Sequence, residues 1–191
     1  MTRIYTRTGD KGTTSLYNGT KRAKNDDIFH LLGKCDELNV HLGAVRVLFP
    51  ASSRQFESTH NEIVLIQNRI FDLGAIIGSD FDTEICQIAP ISLEDVKYLE
   101  ECIDHYNELL PKISTFVLPG TNEQSIVCDK ARVVCREFER YFRSFDFAMT
   151  NDSSFAYINR LSDYLFQLSR ICNYEFRSQS KEVSWTKKTK K

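Results

Sequence analysis

Five stretches of the chain repeat apolar residues at alternating spacings of three and four positions. This spacing puts one continuous apolar stripe on an α-helix, so each stretch predicts a helix that buries one side against its neighbours. The stretches cover residues 28–49, 63–77, 96–110, 127–145 and 158–172. The first and third are followed by Pro50 and Pro111, which lack the amide hydrogen needed to continue a helix. Five long helices with short polar connections predict an all-α fold, a five-helix up-and-down bundle.

Polar residues predict where three of these helices begin. Ser92 and Asp95 form an S-x-x-D pattern before the third stretch, and both residue types suit a capping box. A T-x-x-Q pattern at Thr121 and Gln124 predicts the same device before the fourth stretch. The candidate caps of the fifth helix are Asn151, Asp152 and Ser153.

Composition narrows the class of protein. A chain of 191 residues with 41% hydrophobic content is long enough for one buried core, so we expect a single domain. A formal net charge of -1 offers no overall field for nucleic acid or an anionic membrane, and no apolar run approaches the length of a membrane span.

The six cysteines and four histidines are scattered, which favours reduced, buried thiols over a zinc site. We expect a cytoplasmic protein, or one of the mitochondrial matrix if a transit peptide has been removed.

The N-terminal segment TRTGDKGTTSL, residues 6–16, combines two glycines with two basic residues and a series of hydroxyl groups. Glycines let backbone amides approach an anion, while hydroxyl and basic side chains donate further hydrogen bonds. The order of residues is not that of a Walker loop. The composition fits a phosphate-binding loop and a flexible surface loop about equally.

Arg132, Arg136 and Arg140 recur every four residues on the fourth predicted helix and form one basic ridge. Such a ridge can hold a triphosphate through forked guanidinium contacts, or it can be a solvated face of the helix. Polar pairs also interrupt two apolar stripes, at Asp36 and Asn39 on the first helix and at Asn159 and Asp163 on the fifth. They need partners, and arginines of the fourth helix could supply them, either within the chain or across a subunit boundary. A purely structural network is about equally expected.

Four motifs, in order, resemble the PduO-type ATP:cob(I)alamin adenosyltransferases over nearly the whole chain. They are IYTRTGDKGTTSL, GKCDELNVHLG, FVLPG followed by ARVVCREFER, and INRLSDYLF. The resemblance implies transfer of the 5′-deoxyadenosyl group of ATP to reduced cobalamin, with Mg²⁺ accompanying the triphosphate. It also implies a homotrimer whose active sites lie between subunits.

The resemblance assigns roles to individual residues. The implied ATP-binding residues are Thr6, Arg7, Thr8, Gly9, Thr14, Ser15, Lys24, Arg136, Glu139, Arg140 and Asn159. Arg136, with Lys24 and Mg²⁺, would stabilise the leaving triphosphate. Asp36 and Arg132 resemble an intersubunit ion pair, and Phe116 matches an aromatic residue that helps displace the lower axial ligand of cobalt.

The expected organisation is one adenosyltransferase-like domain over residues 1–191, with an ATP-binding loop at 1–24, a helical bundle at 25–177 and a basic tail at 178–191. Trp185 within that tail suggests that it docks on the bundle. The expected partners are ATP, the corrinoid, a corrinoid reductase and an enzyme that accepts adenosylcobalamin.

The chain departs from the family pattern at Glu137, where arginine is usual, at Lys34, where the usual residue is small or uncharged, and at Thr121, where glycine is common. Glu137 places an anion beside the expected triphosphate. Two alternatives to an active enzyme follow: an ATP or corrinoid carrier with weakened catalysis, and an interaction protein whose bundle only trimerises.

Overall fold

The computed structural model describes residue 5 and residues 7–113, 115–146, 152–176 and 183–188. Within these residues the chain is mostly helical, and two short strands precede the helices. The strands are β1 (Thr13–Ser15) and β2 (Lys21–Ala23). The helices are α1 (Asp27–Leu48), α2 (Glu57–Gly78), α3 (Thr83–Cys86), α4 (Leu93–Leu109), α5 (Glu123–Phe142) and α6 (Asp152–Glu175).

The five long helices coincide with the five apolar stretches, which confirms the predominantly helical fold. In the described residues a sixth helix, α3, adds to the predicted five. It contains four residues, too few to produce a periodic pattern, and Asp82 begins it by accepting hydrogen bonds from the amides of Glu84 and Ile85.

The predicted start of α4 is confirmed. The amide of Asp95 donates to Ser92 Oγ at 3.2 Å, and the amide of Ser92 donates to Asp95 Oδ2 at 2.8 Å, which completes a capping box. Among the candidate caps of α6, Asn151 lies outside the described residues, while Asp152 and Ser153 lie within the helix itself.

The predicted cap of α5 is wrong by one position. Asn122, not Thr121, caps the helix, and its Oδ1 accepts from the amide of Ser125 at 2.7 Å. Ser125 Oγ accepts from the amide of Asn122 at 3.1 Å, so Ser125 replaces the predicted Gln124. Asn122 Nδ2 also donates to the carbonyl of Cys172 at 3.2 Å, a tertiary bond that fixes the start of α5 to the end of α6.

Each long helix buries its apolar stripe against one or two others. Helix α1 packs between α2 and α5, and α6 packs between α5 and α4. The buried side chains join into one hydrophobic cluster that includes Leu38 of α1, Ile70 of α2, Phe138 of α5 and Leu165 of α6. No helix among the described residues is long and apolar enough to cross a membrane.

The N-terminal segment forms a β-hairpin on the end of this helical core. Strands β1 and β2 are antiparallel, with Thr14 opposite Arg22. The amide of Leu16 donates to the carbonyl of Thr20 at 2.9 Å, and Gly19 supplies the positive φ of 82° in the turn between them. Leu16 is buried in the core, and the amide of Tyr17 donates to the carbonyl of Gly78 at 2.8 Å. The hairpin is therefore docked against the end of α2.

Candidate active site

Gly9 and Lys24 are neighbours although 15 positions separate them in the sequence. A Cβ built on Gly9 would lie 3.0 Å from Nζ of Lys24 and 3.1 Å from its Cε, so the lysine side chain crosses the glycine backbone. The amide of Lys24 donates to the carbonyl of Gly12 at 2.9 Å, which holds the lysine beside the loop. The hairpin thus places an ammonium group next to the backbone of Gly9.

The other predicted residues of the segment have different surroundings. Arg7 has a positive φ of 62°, and its guanidinium carbon lies 5.4 Å from the centre of the Tyr5 ring. Thr8 and Ser15 are exposed, and Thr14 is partly buried on β1. Thr6 lies outside the described residues.

Ser15 borders a largely apolar cavity of about 530 Å³. The cavity is lined by the hairpin, α1, α2 and the residues around α3. Its other lining residues are Leu16, Tyr17, Phe29, Leu32, Ala75, Gly78, Cys86 and Ile88.

A second group of predicted residues lies between α5 and α6. Glu139 is only 8% exposed, and its Oε1 accepts a hydrogen bond from Asn159 Nδ2 at 2.7 Å. Arg136 NH1 lies 4.0 Å from Glu139 Oε2, while Arg160 NH1 donates to Asn159 Oδ1 at 3.1 Å. A buried carboxylate needs such donors. The arrangement presents the half-exposed guanidinium of Arg136 at the protein surface.

Cys135 shows that this part of the bundle is a low-dielectric environment. Its thiol is fully buried and donates to the carbonyl of Ile158 at 3.3 Å. Burial raises the pKa of the Cys135 thiol well above its usual range, and the Glu139 carboxylate raises it further. The thiol therefore stays protonated at neutral pH and is not a nucleophile.

Lys34 and Glu137, the two charged departures from the family pattern, contact each other. Lys34 Nζ lies 3.1 Å from Glu137 Oε1 and 3.0 Å from Glu37 Oε2. Hydrogen bonds to Glu37 and then to Glu137 raise the pKa of Lys34, so the amine stays charged. The Glu137 carboxylate is thus directed toward α1.

Asp36 and Arg132 do not form an ion pair with each other in the part of the chain that the structure describes. Asp36 is exposed and borders a cavity of about 270 Å³ between α1 and α2, whereas Arg132 on α5 donates through Nε to Asp129 Oδ1 at 3.4 Å. Asn39, on the same helix as Asp36, exchanges hydrogen bonds with Gln67 of α2. The polar pair on α1 therefore divides: Asn39 belongs to a structural network, and Asp36 faces outward.

The C-terminal tail is docked, as Trp185 suggested, and it contacts Phe116. The Phe116 and Trp185 rings lie edge to face with their centroids 6.3 Å apart. The amide of Trp185 donates to the carbonyl of Phe116, and the amide of Leu118 donates to the carbonyl of Val183, both at 2.8 Å. The contact between Trp185 and Phe116 could not be predicted from the sequence, because a single backbone pairing between remote segments produces no periodic pattern of residues.

Together, these features define a helical protein with a glycine-rich loop, a surface guanidinium supported by a buried carboxylate, and an exposed aromatic pair. The sequence model of the cobalamin adenosyltransferase family matches residues 4–172. The chain therefore belongs to the cobalamin adenosyltransferase family, and its enzymatic class is that of a transferase.

Relatives in sequence and structure agree with this assignment. A corrinoid adenosyltransferase from Citrobacter freundii is 38% identical over 172 residues, which are 90% of this chain and 95% of that protein. A cobalamin adenosyltransferase from Cupriavidus metallidurans is 34% identical over 174 residues, 91% of this chain and 89% of that protein. A variant of the PduO-type ATP:corrinoid adenosyltransferase from Lactobacillus reuteri, complexed with cobalamin and ATP, superposes with a TM-score of 0.81 at 30% identity and 96% coverage of both chains.

Proposed function

We propose that this chain transfers the 5′-deoxyadenosyl group of ATP to cob(I)alamin, giving adenosylcobalamin and triphosphate. The Arg136–Glu139–Asn159 cluster is the observation that carries the proposal, because it presents a cation where a polyphosphate can bind. The family match and the similarity to a structure holding cobalamin and ATP support it.

The reaction requires little acid-base chemistry from the protein. Cob(I)alamin attacks the 5′ carbon of ATP, and the bond from that carbon to the 5′ oxygen breaks with its electron pair leaving on triphosphate. Cobalt is formally oxidised from +1 to +3 as the new bond forms. The protein contributes by orienting the two substrates and stabilising the leaving anion. A protonated, buried Cys135 agrees with a mechanism in which the substrate is the nucleophile.

The proposed ATP site combines the two groups of residues. The N-terminal part of the chain contributes Thr6, Arg7, Thr8, Gly9, Thr14, Ser15 and Lys24, and the helices contribute Arg136, Glu139, Arg140 and Asn159. Lys24 and Arg136 bind the triphosphate and stabilise the charge that develops as it leaves.

Mg²⁺ is proposed to accompany the triphosphate. Magnesium is commonly bound through substrate phosphates and water together with one or two carboxylates, so the triphosphate itself would supply part of the ligand set. The ion would neutralise phosphate charge, while Arg136 and Lys24 orient the chain of phosphates.

Phe116 and Trp185 are proposed to form an apolar wall on the corrinoid side. The Phe116 side chain is 79% exposed, so a ligand can reach its ring. An apolar wall that excludes water and a lower ligand favours the four-coordinate, easily reduced form of cobalt.

The assembly is proposed to be a homotrimer with its active sites between subunits. The outward-facing Asp36 would then pair with Arg132 of a neighbouring subunit. The whole chain is proposed to act as one domain, supplied by a corrinoid reductase and delivering adenosylcobalamin to an acceptor enzyme in the cytoplasm or the mitochondrial matrix.

Replacing Arg136 with alanine tests the proposed function. The assay follows the cobalamin spectrum with ATP and a chemical reductant. We expect kcat/KM to fall about 100- to 1,000-fold, as when one group that stabilises a developing anion is removed. The half-exposed side chain contributes little to packing but lies beside the buried Glu139 carboxylate, so the thermal unfolding midpoint should fall only modestly, because Asn159 still donates to that carboxylate at 2.7 Å.

Arg54→Ala is the matched control, because Arg54 is an exposed arginine in the connection between α1 and α2. It should leave the rate unchanged. Full activity of Arg136→Ala would contradict the assigned role. ATP binding by the unmodified protein without any spectral change would instead favour the weakened carrier, and binding of neither substrate would favour the interaction protein.

A further inference from the structure

Glu137 occupies a position where its charge can oppose ATP binding. It follows Arg136 directly and precedes Arg140 by three residues, so its carboxylate and the Arg140 guanidinium can meet on the surface of α5. An ion pair between them would occupy a guanidinium that the proposed function assigns to the ATP site.

The structure shows a different pairing. Glu137 Oε1 lies 3.1 Å from Lys34 Nζ, across the contact between α1 and α5. Among the residues that the structure describes, Arg140 forms no ion pair with a carboxylate. Glu137 and Arg140 nevertheless border the same cavity of about 340 Å³, together with Lys34, His30 and Tyr141. Arg140 is therefore close to Glu137 but not paired with it.

We propose that Lys34 is a positioning residue for ATP, which holds the Glu137 carboxylate on the α1 side and thereby leaves the Arg140 guanidinium available to the triphosphate. The proposal rests on the proposed function. It assigns Lys34 an indirect role, because the ammonium group is already enclosed by two carboxylates, those of Glu37 and Glu137. The other groups at this contact are His30 on α1 and Tyr141 on α5, and Tyr141 donates through its hydroxyl to Asp27 Oδ1 at 3.1 Å.

Lys34→Gln is the first test, with ATP binding measured by calorimetry on the full chain without corrinoid. Loss of the ammonium group should release Glu137 to pair with Arg140. We expect the Kd for ATP to rise on the order of two- to fivefold, as for competition from one exposed ion pair. The rise should shrink at high salt, because screening weakens the new pair.

Glu37→Gln is the matched control, because it removes the other carboxylate that contacts Lys34 and leaves Glu137 held in place. It should leave the Kd for ATP unchanged. Lys34→Gln/Glu137→Gln should bind ATP within about twofold of the unmodified protein, since no carboxylate then competes for Arg140. Glu137→Gln alone should bind ATP at least as tightly as the unmodified protein, and it tests the proposal even if Lys34→Gln does not fold.

The results of these binding measurements distinguish a positioning role of Lys34 from direct phosphate binding and from no role in ATP binding. A double variant as weak as Lys34→Gln would show that Lys34 contacts phosphate directly, and would overturn the positioning role. Equal binding by all variants, or weaker binding by Glu137→Gln, would overturn it as well. Absence of ATP binding in the unmodified protein would instead remove the proposed function itself.

Discussion

Glu139 is the residue on which the helix side of the proposed site depends. A carboxylate in the bundle is costly to bury unless donors surround it, and Asn159 and Arg136 are placed to supply them. The same contacts orient the two donors. Asn159 is linked in turn to Arg160, which also donates to Glu100 Oε1 of α4 at 2.9 Å. A buried anion thus lies within ion-pair distance of a surface cation.

Gly9 allows a prediction for the loop side of the site. In Gly9→Ala the new Cβ would lie 3.0 Å from Lys24 Nζ, and the flexible end of the lysine would have to move. Because only a side-chain tip shifts, the thermal midpoint should be unchanged. We expect the KM for ATP to rise on the order of tenfold, since small misplacements of a binding group are costly.

Gly33→Ala is the control for this substitution. Gly33 lies within α1, and nothing lies within 4 Å of a Cβ added there. Alanine should therefore raise the free energy of unfolding by about 0.5–1 kcal/mol without changing the KM for ATP. Steady-state kinetics and denaturant unfolding measure the two effects separately. An unchanged KM in Gly9→Ala would mean that Lys24 does not bind ATP.

At the residue scale, sequence motifs identified candidate groups but not all of their contacts. The spacing of Arg132, Arg136 and Arg140 was visible because helical periodicity is regular. The contact between Lys34 and Glu137 was not, because it depends on how α1 is rotated against α5. The sequence therefore suggested that Glu137 places an anion beside the triphosphate, whereas the structure directs the Glu137 carboxylate toward Lys34.

Among the secondary-structure elements, long helices were predictable and their ends less so. Thr121 with Gln124 and Asn122 with Ser125 are overlapping capping patterns one residue apart. The structure uses Asn122, which also donates to the carbonyl of Cys172 on α6. The local sequence carries no information about that tertiary hydrogen bond, so it could not distinguish the two capping patterns. The docked tail was equally hard to predict. Trp185 alone suggested that the tail docks, and the segment that it contacts, around Phe116, is remote in the sequence.

Trp185 provides a prediction about this tail segment. Trp185→Ala removes the edge-to-face partner of Phe116, a contact worth about 0.5–1.5 kcal/mol. Phe116 should then move more freely, so we expect the KM for the corrinoid to rise while the Kd for ATP stays constant. Trp185→Phe keeps an aromatic partner and should restore most of the corrinoid affinity.

Fluorescence measures the same contact directly, because Trp185 is the chain's single tryptophan. Phe116→Ala should shift its emission to longer wavelength as the indole becomes more exposed. An emission maximum unaffected by Phe116→Ala would mean that the tail is not docked there in solution.

At the scale of the whole molecule, the proposed site residues are spread over two parts of the chain. Gly9 and Lys24 contact each other in the hairpin, and Arg136, Glu139 and Asn159 form their own group between α5 and α6. Asp36 and Arg132, the expected ion pair, are also separate within one chain. The proposed homotrimer, in which subunits complete one another's sites, would supply a partner for each member of this pair.

A charge exchange between Asp36 and Arg132 tests this assembly. Asp36→Arg would bring two cations together at the proposed subunit contact, and Arg132→Asp would bring two anions together. Either change alone should shift sedimentation at low protein concentration toward monomers and lower the transfer rate. Combining both changes should recover the trimer and much of the rate, because opposite charges then face each other again.

Asp104→Arg is the control for Asp36→Arg, because it makes the same charge change at an exposed site on α4. It should leave sedimentation unaltered. Recovery in the double variant, together with unaltered sedimentation of Asp104→Arg, is the decisive observation, because the exchange restores the net charge and only Asp104→Arg shows the effect of net charge by itself. A trimer that persists in both single variants, with full activity, would place the subunit contact elsewhere. A monomeric but fully active protein would show that one chain brings the hairpin and helix groups together by itself.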